Sequence, residues 1–123
     1  MNKYLLVAIL LSVGLVLSGC GQKNGDTPLV DKNAKIILFY GQECPHCKIV
    51  EKYIKDNKIS EKVNFAQGEV YHNKTNSALL AEKAGKCGID TKAIGVPFLW
   101  ENDKCYVGQE EVIQFFKDKV NSK

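Results

Sequence analysis

Two cysteines separated by two residues, Cys44-Pro45-His46-Cys47, are the part of this chain best suited to chemistry. An apolar run precedes them, Ile36-Ile37-Leu38-Phe39-Tyr40, and a stretch with helical apolar spacing, Ile49 to Ile54, follows. A strand, a sharp turn and a helix start are expected there, with two thiols at the junction. A thiol at a helix N-terminus faces unpaired backbone N–H groups and the positive end of the helix dipole, which stabilise its thiolate. Disulfide exchange needs an attacking thiolate and a second thiol to resolve the mixed disulfide. Cys44, at an exposed helix start, is expected to be the nucleophile. Cys47, one turn in and more buried, is expected to be the resolving thiol. His46 brings a positive charge and a donor near Cys44, which favours the thiolate and makes the disulfide a better oxidant. Glu43 acts against this, because a nearby carboxylate raises a thiol pKa; it is expected to face water and be outweighed.

The same residues have other uses. A Cys-x-x-Cys with a histidine between is also a half site for zinc or copper, and His72 could lie on the same sheet edge. His72 reads more simply as a turn residue. The cysteines could also form a plain structural disulfide.

Three further cysteines stand apart, Cys20, Cys87 and Cys105. If Cys44 pairs with Cys47, then Cys87 pairs with Cys105 or both are free, and free pairs are disfavoured in an oxidising compartment. A structural Cys87–Cys105 disulfide closing a loop of under about twenty residues would stabilise a small core by about 2–4 kcal/mol. A second redox pair and two ordinary buried thiols are the alternatives.

Composition narrows the setting. The chain has 123 residues, 45% hydrophobic and 25% charged, which suits one globular domain. Its formal charge is +3 and its basic residues are all lysine, spread along the chain. That pattern describes a solvated surface and argues against a nucleic-acid footprint.

Met1-Asn2-Lys3 is a short positive start, and Tyr4 to Leu17 is apolar but for Ser12 and Gly14. The run is shorter than the ~20 residues of a spanning helix and fits a signal peptide over 1–19. Leu17-Ser18-Gly19-Cys20 resembles a bacterial lipobox. That resemblance implies cleavage before Cys20, lipidation of Cys20, and a domain anchored by lipid to a membrane in the cell envelope. An uncleaved N-terminal anchor is the alternative. Residues 20–33 are polar, with Gly21, Gly25 and Pro28, and read as a flexible tether.

The elements that position the thiols lie in 34–123. The near-continuous apolar run to Tyr40 marks a central strand buried on both faces. Ile49, Val50, Tyr53 and Ile54 give a helix its inner face, ending at Asp56-Asn57-Lys58. Val63, Phe65 and Val70 suggest a second strand, interrupted near Gly68. Thr75 or Asn76 caps a helix to about Lys86, with Leu79, Leu80 and Ala84 inward. Val96-Pro97-Phe98-Leu99-Trp100 and Lys104 to Val107 form a hairpin. Val112, Ile113, Phe116 and Val120 face the core from a last helix.

The order β-α-β-α-β-β-α, with Cys-x-x-Cys at the first strand–helix junction and Val-Pro before the third strand, resembles the thioredoxin fold. An α/β domain with a four-stranded mixed sheet and three helices is implied. The short first half, and Val107-Gly108 followed by Glu110 and Glu111, are similar to a glutaredoxin; the Pro45-His46 dipeptide is similar to DsbA-type periplasmic oxidases. The resemblance implies disulfide exchange, a cis peptide before Pro97, and a groove at Val96, Pro97 and Pro45 for substrate.

The expected function is that of a lipid-anchored thiol–disulfide oxidoreductase acting on exported proteins, leaning to oxidant. It would need no cofactor or metal and would work as a monomer. Its membrane redox partner would be a quinone-linked oxidase or an electron carrier. A metal-binding lipoprotein and a glutaredoxin-like reductase, with glutathione use open, are the alternatives.

Overall fold

The computed structural model describes residues 27–123. The expected signal peptide over 1–19 and the lipidation site Cys20 lie outside these residues. Among the described residues no helix is long and apolar enough to cross a membrane.

The chain forms β1 (Ile36–Tyr40), α1 (Pro45–Asp56), α2 (Ile59–Lys62), β2 (Ala66–Glu69), α3 (Lys74–Lys86), a 3₁₀ turn (Thr91–Ala93), β3 (Phe98–Glu101), β4 (Lys104–Val107) and α4 (Gln109–Asn121). The sheet order is β2-β1-β3-β4. β1 pairs in parallel with β2 and antiparallel with β3, and β3 with β4 forms the expected hairpin.

β1 is apolar throughout because both of its faces are covered. Successive side chains point to opposite sides of a strand. Ile36 and Leu38 join Val50 and Ile54 of α1, Ile59 of α2 and Val112, Phe115 and Phe116 of α4 in one core. Ile37 and Phe39 join Leu80 and Ala84 of α3, Phe98 and Trp100 in the other. The domain is thus three layers, with α1, α2 and α4 on one side and α3 on the other.

The structure departs from the sequence reading in several places. α2 is a fourth helix where three were expected: Lys58 takes a left-handed conformation (φ 51°) that breaks the path after α1, and Ile59 then enters the core at 1% exposure. The second strand is Ala66–Glu69, with Phe65 and Val70 flanking it. Gly68 lies inside that strand and does not interrupt it, since Val30 and Phe39 pack so closely that a Cβ there would meet them at 3.2–3.3 Å. Ile49 is 47% exposed, turned out of the face that buries Val50 and Ile54.

A further difference concerns the segment read as a flexible tether. Asn73 Nδ2 donates to the Thr27 carbonyl, Asn76 Nδ2 donates to the Pro28 carbonyl, and the Val30 N–H donates to Asn76 Oδ1. Residues 27–30 are therefore already bonded to the domain, ahead of the expected boundary at 34. Asn73 also caps α3, a role expected of Thr75 or Asn76, by accepting from the Asn76 N–H.

Candidate active site

The β1–α1 junction sets the site. Gly41, Gln42 and Glu43 turn the chain, and Cys44 caps α1 with extended backbone angles (φ −80°, ψ 114°). Its Sγ accepts from the Cys47 N–H at 3.1 Å, so the sulfur occupies the place of a capping oxygen at the positive end of the helix. Pro45 opens the helix, where its missing N–H leaves no bond unmade. Two intervening residues in a helical turn place the Cys44 and Cys47 Cα atoms 5.2 Å apart, and the sulfurs are bonded.

Both cysteines are closed from solvent, Cys44 at 3% and Cys47 at 4% exposure. The expected contrast between an open Cys44 and a buried Cys47 is absent. What separates them is position: Cys44 stands at the helix end and Cys47 one turn inside. Cys44 Sγ also lies 3.5 Å from the Val96 carbonyl oxygen. The Val96–Pro97 peptide is cis, and Pro97 is buried against the site. The site thus gathers Cys44, Pro45 and Cys47 with Val96 and Pro97 from the other end of the sequence.

His46 is exposed, and its Nδ1 lies 2.8 Å from Gln109 Oε1 on α4. That bond draws the ring toward the α4 start, whereas a donor near the Cys44 sulfur was expected. Glu43 faces water as expected but is not alone. Its Oε1 lies 2.7 Å from His72 Nε2, with both side chains more than half exposed. The hydrogen bond and charge of Glu43 raise the His72 pKa above the ordinary histidine value, outweighing desolvation, and the charge of Glu69 adds a smaller push in the same direction. His72 therefore partners the residue before Cys44. Among the described residues no three His, Cys, Asp or Glu side chains converge as a metal site.

Glu69 was not singled out from sequence, yet it holds the turn. It is 2% exposed at the end of β2. Its Oε1 accepts from the N–H groups of Gln42 (3.2 Å) and Tyr71 (2.9 Å), and its Oε2 from His72 (2.9 Å). Burial pushes its carboxyl up, but the three N–H groups and His72 outweigh this and bring it below the usual carboxylate range. A lone glutamate between a glycine and a valine carries no sequence signal of that role. Tyr71 lies over Gly41, so that a Cβ at Gly41 would come within 2.4 Å of its ring.

Cys87, the C-cap of α3, and Cys105 in β4 are bonded across a Cα separation of 6.2 Å. The bond ties the end of α3 to the sheet, beside Trp100, whose ring carries the Lys83 ammonium 3.9 Å from its centroid.

This strand order, with a bonded Cys-x-x-Cys at the β1–α1 junction and a cis proline before β3, defines a thioredoxin-like α/β domain. No protein-family model matches the chain, and no curated protein matches it. Among solved structures, a buckwheat glutaredoxin in complex with glutathione is similar in fold. The TM-score is 0.51 at 17% identity, covering 74% of this chain and 76% of that one. At that identity the likeness speaks for the fold alone.

Proposed function

We propose that this protein is a thiol–disulfide oxidoreductase that exchanges disulfides with exported polypeptides through Cys44 and Cys47. One observation carries the reading: a bonded cysteine pair at a helix N-terminus, with the Cys44 sulfur against the Val96 carbonyl at a cis proline. The helix end stabilises a Cys44 thiolate once the bond is reduced, and Cys47 is near enough to resolve a mixed disulfide. A substrate strand approaching along Val96 and Pro97 reaches Cys44 first. The stabilised thiolate favours the reduced protein, so that the disulfide form oxidises its substrates.

In this reading Cys20 carries the lipid that keeps the domain at a membrane, where a quinone-linked oxidase or an electron carrier resets the pair. The direct experiment follows oxidation and reduction of model peptides by wild type and Cys44→Ser, with bound metal measured alongside. Exchange by wild type, its loss in Cys44→Ser, and a trapped mixed disulfide in Cys47→Ser are expected. No exchange together with stoichiometric zinc or copper would overturn the reading. The reduction potential of the pair decides oxidant against reductant, and fatty-acid labelling that survives Cys20→Ala would remove the anchor.

A further inference from the structure

β1 and β2 run in parallel and in register, with Tyr40 beside Glu69 at their ends. Glu43 and His72 each stand three residues beyond those ends, on two loops that leave the sheet at one edge. There they meet, Glu43 Oε1 lying 2.7 Å from His72 Nε2. One buried carboxylate fixes the backbone behind both. Glu69 accepts from the Gln42 N–H on the first loop and from the Tyr71 and His72 N–H groups on the second. Little backbone freedom is then left to lose when the two side chains pair.

As a stabilising contact such a pair is weak. The His72 and Glu43 side chains are 54% and 63% exposed, and exposed ion pairs add little to stability. Its position gives it another use. Glu43 is the residue before Cys44, and a bare carboxylate there opposes a Cys44 thiolate, which raises the thiol pKa and favours the disulfide. An imidazolium bonded to Glu43 cancels that charge. His46, the other imidazole at this end of the domain, is drawn to Gln109 instead.

We propose that His72 is a positioning residue for Cys44: by holding and neutralising the Glu43 carboxylate it leaves the helix end free to stabilise the Cys44 thiolate, and the disulfide is the stronger oxidant while His72 is protonated. The proposal rests on the oxidoreductase reading above and adds to it a residue and a pH dependence. Glu43 and Glu69 both face His72 and both favour its charged form. Lys74 shares a cleft with His72 and the uncharged strap residues Thr27, Pro28 and Leu29. His72 is charged below its folded pKa, which lies above the ordinary histidine value, and loses its charge as pH rises through it. The other charged groups near the thiols are the Lys48–Glu51 pair, in a cleft with Cys47, and Glu110 and Glu111 in the groove with Pro97. They are the same in every variant below and cancel in a double-mutant cycle.

The test compares the full chain as wild type, His72→Gln, Glu43→Gln, the double variant and His72→Lys, at about pH 6 and low ionic strength. Glutathione serves only as a redox buffer. The Cys44–Cys47 bond breaks and takes up two electrons, two glutathione thiols join as a disulfide, and their protons pass to the cysteines or to water. In His72→Gln the Cys44 pKa, read from alkylation rates of the reduced protein, should rise by roughly half a unit, and the equilibrium constant for reduction by glutathione should fall about threefold. In the Glu43→Gln background, His72→Gln should change neither. His72→Lys, which keeps a cation, should keep the wild-type values and hold them as pH rises, whereas the gap between wild type and His72→Gln should close. All differences should shrink at about 1 M salt. By reciprocity, an NMR titration should place the His72 pKa higher in the reduced than in the oxidised protein, by about the same half unit. Equal Cys44 pKa values in wild type and His72→Gln, a shift that persists in the Glu43→Gln background, or a His72 pKa indifferent to redox state would overturn the role of His72 alone. A Cys44–Cys47 bond that neither glutathione nor dithiol peptides reduce would overturn the oxidoreductase reading beneath it.

Discussion

Replacing Glu69 with glutamine tests how the active-site turn is held. The two side chains have nearly the same shape, so the change removes charge and one acceptor oxygen with little change in packing. The carboxylate receives three backbone N–H groups, from Gln42, Tyr71 and His72. Hydrogen bonds to a charged group contribute about 1.5–3 kcal/mol each. A glutamine can turn its oxygen toward the Gln42 and Tyr71 pair, but its NH₂ then faces the His72 N–H. One bond is lost, two lose their charge assistance, and a buried donor is left opposed. The expected cost is about 2–4 kcal/mol at pH 7. The sign of its pH dependence follows from linkage. The folded pKa of Glu69 lies below the unfolded value, so its stabilisation is complete above roughly pH 4.3 and is lost as pH falls through the folded value. Urea titrations of the oxidised protein should show a large gap between wild type and Glu69→Gln at pH 7 and a smaller one near pH 3. Amide exchange at Gln42 should quicken in the variant. Equal stability at neutral pH, or a gap that does not shrink with acid, would refute the claim that this carboxylate clamps the turn.

Three further outcomes are expected. The double variant Cys87→Ser/Cys105→Ser should lose about 3 kcal/mol of stability in denaturant titrations, from the loop of 18 positions that the bond closes, while keeping disulfide exchange by Cys44. In a histidine NMR titration the His72 pKa should fall toward its ordinary value in Glu43→Gln; the pair's contribution to stability is present below about pH 6.5 and is lost as pH rises through the folded His72 value. Asn76→Ala removes bonds to the Val30 N–H and to the Pro28 and Glu69 carbonyls, and should cost roughly 2–3 kcal/mol by chemical unfolding, with fast amide exchange at Val30 as its local mark.

What the sequence revealed was governed by periodicity and by local chemistry. β1 announces itself because Ile36–Phe39 must satisfy two cores at once, and α4 because its apolar spacing persists over three turns. The Cys44–Cys47 spacing and the Val96-Pro97 dipeptide are local strings that need no partner to be noticed. The polar framework behind the site has no such signature. Glu69, Asn73 and Asn76 are buried or capped by bonds to residues up to 48 positions away, and nothing beside them in sequence tells of it. α2 is too short to show a period, and residues 27–33 have the polar, proline-containing composition of a linker while serving as a strap. Exposure at the thiols misled for a related reason. A helix start is open in isolation, and the Val96 carbonyl that lies against Cys44 comes from a segment 52 positions away.

The strap changes how any attachment upstream of it would act. Thr27, Pro28 and Leu29 lie beside His72, and His72 grips Glu43, the neighbour of Cys44. The strap therefore lies on the rim of the reactive end. Seven peptide steps separate Cys20 from Thr27, so a lipid on Cys20 would stand no more than about 25 Å from that rim. A span that short limits orientation as well as distance. Any surface that held such a lipid would lie within the same reach of the end of the domain that carries the Cys44–Cys47 bond.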